Sequence, residues 1–233
     1  MDIWQRLGMS LALALISGAC LAGGYGQYQL ERLVSLAPQQ SNPRIDLDYL
    51  DLWLAALDPY ARTPARPFGS ESERQRVLAD LRALESVVGL AVLEQGSALL
   101  VRRSALLASI AYQLGLPGAG VRADLAFNRW LLLAPEEGDA HYHYGRFLLA
   151  SAQYPRAVFY LRNAFAQGIL DAELLLGIAL LKQGEREEAA TYLQHYRITH
   201  PDDPQVISLL RQSTGDAAGQ SATAGGDPYV KAR

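Results

Sequence analysis

The sequence predicts an all-helical protein: a solenoid of about three antiparallel helix pairs, with a helical cap and an apolar segment before it. Three observations carry this expectation. Ala111, Gly145 and Gly177 stand 34 and 32 positions apart. Ala123, Ala157 and Ala189 recur at the same two intervals, always twelve residues after the first series. Pro135 and Pro201 follow the first and third of these alanines by twelve again. A period near 34 with small residues at fixed offsets marks a stacked helix–turn–helix repeat. Such a repeat builds a binding surface and brings no chemistry of its own.

Residues 1–30 read as a membrane anchor or signal segment. No charge occurs between Arg6 and Glu31, and Leu7 to Gly26 is an uncharged run of 20 residues. As a helix it would span about 30 Å, the thickness of a bilayer core. The short leading region with Arg6 fits a signal peptide or a cytoplasm-in anchor. Tyr25 and Tyr28 at its far end suit a membrane interface. Three fates fit the segment. It stays as an anchor; or Cys20, after Ser17-Gly18-Ala19, carries a lipid; or a peptidase cuts after Ala19 or Ala22. The position of Cys20 resembles that of bacterial lipoproteins, although Ser17 stands where an aliphatic residue is usual. Leu21 after it would direct such a lipoprotein to the outer membrane. In a bacterium each fate puts the repeats outside the cytoplasm. The expected location is the cell envelope, inner-membrane anchored with periplasmic repeats, with an outer-membrane lipoprotein as the alternative. Cys20 is the only cysteine, so an intrachain disulfide and a four-thiolate metal site are excluded.

Residues 31–44 are expected to be a linker and 45–103 a helical cap. In the cap, Leu47, Leu50, Leu54 and Leu57 share one helical face beside Trp53, and Asp58-Pro59 ends that helix. Ser70 with Glu73 three residues later is a capping-box pattern, opening a helix through Val77, Leu81, Leu84 and Val88. Gly96-Ser97 marks the next helix boundary. These helices do not keep the repeat offsets. They are expected either to cover the first repeat or to form a separate docking element.

The repeat domain is expected over 104–212. In its first unit Leu107, Ile110, Ala111 and Leu114 form one stripe, Leu116-Pro117-Gly118 breaks the helix, and Ala123, Phe127, Trp130 and Leu131 form a second. The second unit repeats this with His141, Tyr144, Gly145 and Leu148, then Ala157, Leu161 and Ala164. The third has Leu174, Leu176, Gly177 and Leu180, then Ala189, Leu193 and Tyr196. Gly145 and Gly177 are expected to sit against Ala157 and Ala189, letting paired helices approach closely. Residues 213–233, rich in Ala, Gly, Ser and Thr, are expected to be a disordered tail.

These units resemble the tetratricopeptide repeat family. The resemblance covers Ser104 to about Leu210 and is strongest in Gly177…Ala189…Leu193…Pro201 and Ala111…Ala123…Phe127…Pro135. Leu107, His141 and Leu174 replace a frequent Trp, Trp130 and Tyr196 replace a small residue, and the second unit is two residues short. These departures bear on the angle between units. The resemblance implies a right-handed α-solenoid whose concave face, lined by the first helix of each pair, captures a partner segment. Carried over, that groove comprises Ala108, Tyr112, Leu116, Asp139, Tyr142, Arg146, Leu149, Leu174, Ile178 and Lys182. Such repeats resemble assembly factors of bacterial envelope machines, for secretion, pili, polysaccharide export or cytochrome c maturation.

Composition narrows the function classes. The chain has 233 residues, half of them hydrophobic, and a formal charge of −3. It has no basic stripe with interleaved aromatics, so nucleic acid is not an expected partner. His141 and His143 point about 200° apart on a helix and cannot chelate one ion. There is no phosphate-binding glycine loop, nucleophile elbow or zinc-protease run. No metal, cofactor or small-molecule substrate is expected, and no catalytic residue. The chain reads as a non-enzymatic scaffold for protein partners of an envelope assembly. An accessory subunit of an envelope enzyme is the alternative of another class.

Overall fold

The computed structural model describes residues 25–35, 44–62 and 65–215. Most of the apolar amino-terminal run, Cys20, the middle of the expected linker and the tail beyond Gly215 lie outside these. Among the described residues there are ten helices and one short sheet. They run α1 (Leu30–Leu33), β1 (Val34–Ser35), β2 (Arg44–Ile45), α2 (Leu47–Ala61), α3 (Glu71–Gln95), α4 (Ala98–Gln113), α5 (Ala119–Leu133), α6 (Gly138–Ala150), α7 (Tyr154–Ala166), α8 (Ala172–Gln183), α9 (Arg186–Thr199) and α10 (Pro204–Thr214).

From α4 onward the helices pack as antiparallel pairs: α4 with α5, α6 with α7, α8 with α9. The first helices α4, α6 and α8 touch side by side, and α10 takes the place of a fourth first helix against α8 and α9. Helix boundaries follow local chemistry. Gly96 ends α3 in the left-handed conformation at φ 60°, which costs glycine nothing. Asp46 and Asp203 cap α2 and α10 by accepting backbone N–H bonds from Tyr49 and Gln205. α4 begins at Ala98, six residues before the expected start of the first unit. That start falls at the expected Gly96-Ser97 boundary, and Leu100 and Val101 are buried. At the other end α10 continues through Thr214 with Ser213 buried, so the expected tail begins later than 213.

Close approach within a pair comes from glycine, but against a different partner from the expected alanine. A Cβ on Gly145 would lie 2.6 Å from Leu161 Cγ, and one on Gly177 2.6 Å from Leu193 Cγ. The leucine sixteen residues on fills the space, while Ala157 and Ala189 are buried elsewhere in the contact. Ala111 and Phe127 hold the same offset in the first unit, both buried.

The joint between the first two units is polar as well as aromatic. Phe127 stacks on Trp130, Tyr144 and Phe147. The Tyr144 hydroxyl donates to Asp124 at 2.7 Å, Asn128 donates to that hydroxyl, and Arg156 reaches the same carboxylate at 2.9 Å. Three helices meet in this network. Trp130 is accommodated because its indole N–H donates to Glu137 at 2.7 Å, with Arg102 lying over the ring.

The segment before the repeats departs from the expected linker. Val34 and Ser35 pair antiparallel with Ile45 and Arg44, and α1 packs on α2. Tyr25 and Tyr28, expected at a membrane interface, belong instead to an aromatic cluster with Tyr49 and Trp53. Trp53 donates its indole N–H to the Tyr25 hydroxyl at 2.5 Å. Glu73 ties the cluster to α3. Its N–H donates to Ser70 at 3.1 Å, the expected half of a capping box. Its buried carboxylate accepts the Tyr25 N–H at 2.8 Å, the Tyr60 hydroxyl at 2.5 Å and the Gly69 N–H at 2.6 Å.

Candidate partner-binding face

Part of the face lined by the first helices is covered by the chain itself. α2 packs on α4. Arg103 of α4 holds Asp51 of α2 with two N–H donors, at 2.8 and 2.5 Å. Seven residues on, at the same helical phase, Asp58 of α2 meets Arg146 of α6 at 3.8 Å. The apolar side of α2, with Leu50, Trp53, Leu54 and Leu57, is buried. α2 therefore crosses from the first unit to the second on the face where a partner was expected.

The ten carried-over groove residues divide accordingly. Ala108, Leu116, Leu149 and Ile178 are buried in the core, which corrects their assignment to a partner-contacting surface. Ala108, Leu149 and Ile178 sit on the first helices, which touch side by side. Leu116 lies in the turn after α4 rather than on a helix. Tyr112 is half-buried, its ring edge-on to Phe147 at 5.3 Å. Asp139 is engaged by Arg102 at 3.3 Å. Leu174 is half-buried and Lys182 exposed near the end of α8.

Tyr142 and Arg146 are brought together, one turn apart on α6 and half-exposed. Burial is the main cause raising the Tyr142 phenol above its ordinary value. Arg146 opposes the shift and Asp171 adds to it. His143 beside them stacks on Trp130 at 6.2 Å. Its imidazole is pushed down to about 3, first by burial and then by Arg146 and Arg102. It is a neutral ring in this place. What gathers here is a phenol, a guanidinium and, from α2, the carboxylate of Asp58 with Arg62. Together they make a half-exposed polar patch.

The part that sequence reasoning missed is α2 as an internal occupant. Its signal was present in Asp51 and Asp58, seven apart on an apolar helix. Nothing local connects them to Arg103 and Arg146.

Helix pairs stacked with their first helices side by side define a helical-repeat architecture. The tetratricopeptide repeat profile matches residues 148–212, from the end of α6 through most of α10. No curated protein matches the chain. The matched repeats suggest a protein-interaction scaffold, and repeats of this kind are generally non-catalytic.

Proposed function

We propose that this chain is a scaffold tethered to the membrane of a bacterial cell envelope, with periplasmic repeats that hold a segment of a partner protein for envelope assembly. The observation that supports it most is the pairing of Tyr142 and Arg146 where α2 ends. Tyrosine and arginine are the side-chain types that dominate interface energetics, and these two stand on the stretch of first-helix surface that α2 leaves half-exposed. The uncharged run from Leu7 up to the packed Tyr25 supports the tether, which would raise the local concentration of a membrane-bound partner. Among the described residues no helix is long and apolar enough to cross a membrane, so the tether rests on that run.

The test is a crosslinked pull-down of the full chain from its own membranes, wild type against Tyr142→Ala with Arg146→Ala. The Arg146 pair with Asp58 is surface-lying and worth about 0–1 kcal/mol, but the Tyr142 ring packs partly against the core. Some fall in melting temperature is therefore expected, and capture is compared well below it, with Arg146→Ala alone as the variant that leaves the core untouched. Loss of most of the captured partner is expected. Undiminished capture would show that the contact lies elsewhere. The intact mass of the bait reports whether Met1 is retained or the chain begins at a lipidated Cys20.

A further inference from the structure

A concavity of about 660 Å³ lies where the first half of α7 faces the end of α8 and the start of α9. None of the residues carried over as a partner groove lines it. Pro155, Val158 and Leu180 supply its apolar part, and Phe159 stands beside them 60% exposed. A phenyl ring left in water next to an apolar depression has area still to bury. The charges of the groove are unbalanced. One terminal nitrogen of Arg162 reaches both carboxylate oxygens of Glu188, at 2.5 and 2.7 Å. The Glu185 carboxylate, which also lines the groove, has no ion-pair partner among the described residues.

The chain itself carries the complement. α10 packs on α8 and α9, and the short connection 200–203 turns it back along α9. Gly215, just past α10, therefore lies at the end of the stack where α8 ends and α9 begins, the end that holds the groove. Residues 216–233 follow. Their only large apolar side chains, Tyr229 and Val230, are adjacent, with Lys231 and Arg233 just after them. This is a ring and a branched side chain for the apolar part, and cations for Glu185. The fourteen residues from Gly215 to Tyr229 are mostly small; as a coil they would span about 20 Å. One or two interhelical spacings of about 8–10 Å separate α10 from the groove. A linker whose span matches the gap gives the highest effective concentration, of millimolar order, so even a weak peptide contact is populated. We propose that Asp227 to Arg233 docks into this groove of its own chain, with Tyr229 against Phe159 and a cation at Glu185. A partner that uses the groove must first displace that segment.

The test uses the full chain in mild detergent, with Tyr229→benzoylphenylalanine as a photocrosslinker. The dilute protein is irradiated and its crosslinked peptides are read by mass spectrometry. The link is expected within one chain, to residues 155–163 or 183–188. Phe159→Ser should lower its yield by about fivefold or more, since that ring is the largest apolar area on offer. Glu185→Lys should lower it as well, with Phe159 left in place. Both positions are exposed, and an unchanged melting temperature verifies the fold. No crosslink, crosslinks scattered over the surface, or a yield indifferent to both variants overturns the proposal. So does a link found only between two chains, because the groove would then be a contact between copies of this chain.

Discussion

At the scale of single residues, the tightest requirement is at Gly145. Alanine is the better helix former by about 1 kcal/mol, so helix propensity alone favours Gly145→Ala. The added carbon would stand 2.6 Å from Leu161 Cγ and 3.2 Å from the Leu161 backbone nitrogen. The side chain can swing aside and the backbone cannot. Overpacking of this kind costs about 1–3 kcal/mol, so the steric term wins and the melting temperature should fall. Gly145→Ala combined with Leu161→Ala should lose less than the sum of the two single losses, since each change makes room for the other. A rise in melting temperature for Gly145→Ala alone would mean that the helices are further apart than described. The small-residue period was plain in the sequence. Its partner was not, because residues twelve and sixteen apart across a turn both reach the facing helix, and only the turn geometry decides between them.

At the scale of elements, Glu73 joins three pieces of chain: the Tyr25 segment, the end of α2 and the start of α3. Its carboxyl is held below the ordinary value of 4.5, first by the Tyr60 hydroxyl and then by the Tyr25 N–H. A depressed carboxyl stabilises the fold above its unfolded value and loses that contribution as pH falls through its folded one. Glu73→Gln should cost about 1–3 kcal/mol at neutral pH, because an amide cannot accept from all three donors. The gap between wild type and variant should close as pH drops below 4.5. Asp80, pushed up to about 6 by burial, works in the opposite sense between 3.8 and 6 and cancels in that difference. A gap independent of pH would remove the carboxylate from this role. The sequence marked Ser70 and Glu73 as a helix start, and the helix starts there. A capping pattern describes only what a side chain does for its own helix, so it gave no sign that the carboxylate would bind 48 residues back.

At the scale of the whole molecule, the units are coupled by what departs from the repeat pattern. Trp130 stands where a small residue is usual, and it bonds Glu137 in the next unit's approach while carrying Arg102 on its face. Trp130→Ala should therefore do more than remove 3–5 kcal/mol of packing. In a stacked array stability is a sum of unit and neighbour terms, so weakening one joint should split the unfolding of the part before α6 from the part after it. Two calorimetric transitions are expected, and a single sharp one would place the coupling elsewhere. The helix pairs and their approximate limits were legible in the sequence because periodicity is a local property. The path of α2 across α4 to α6 was not, since it depends on contacts between residues that no local pattern links.

That path also sets an order in time. α2 is made early, but Arg103 follows Asp51 by 52 residues, and Arg146 is made later still. At about 5–20 residues per second on a ribosome, the helix waits several seconds for the α4 surface that packs against it. A helix made ahead of the repeats is thus fixed in place only once α4 and α6 have followed it. During that interval its apolar side is open to chaperones and to nascent copies alike.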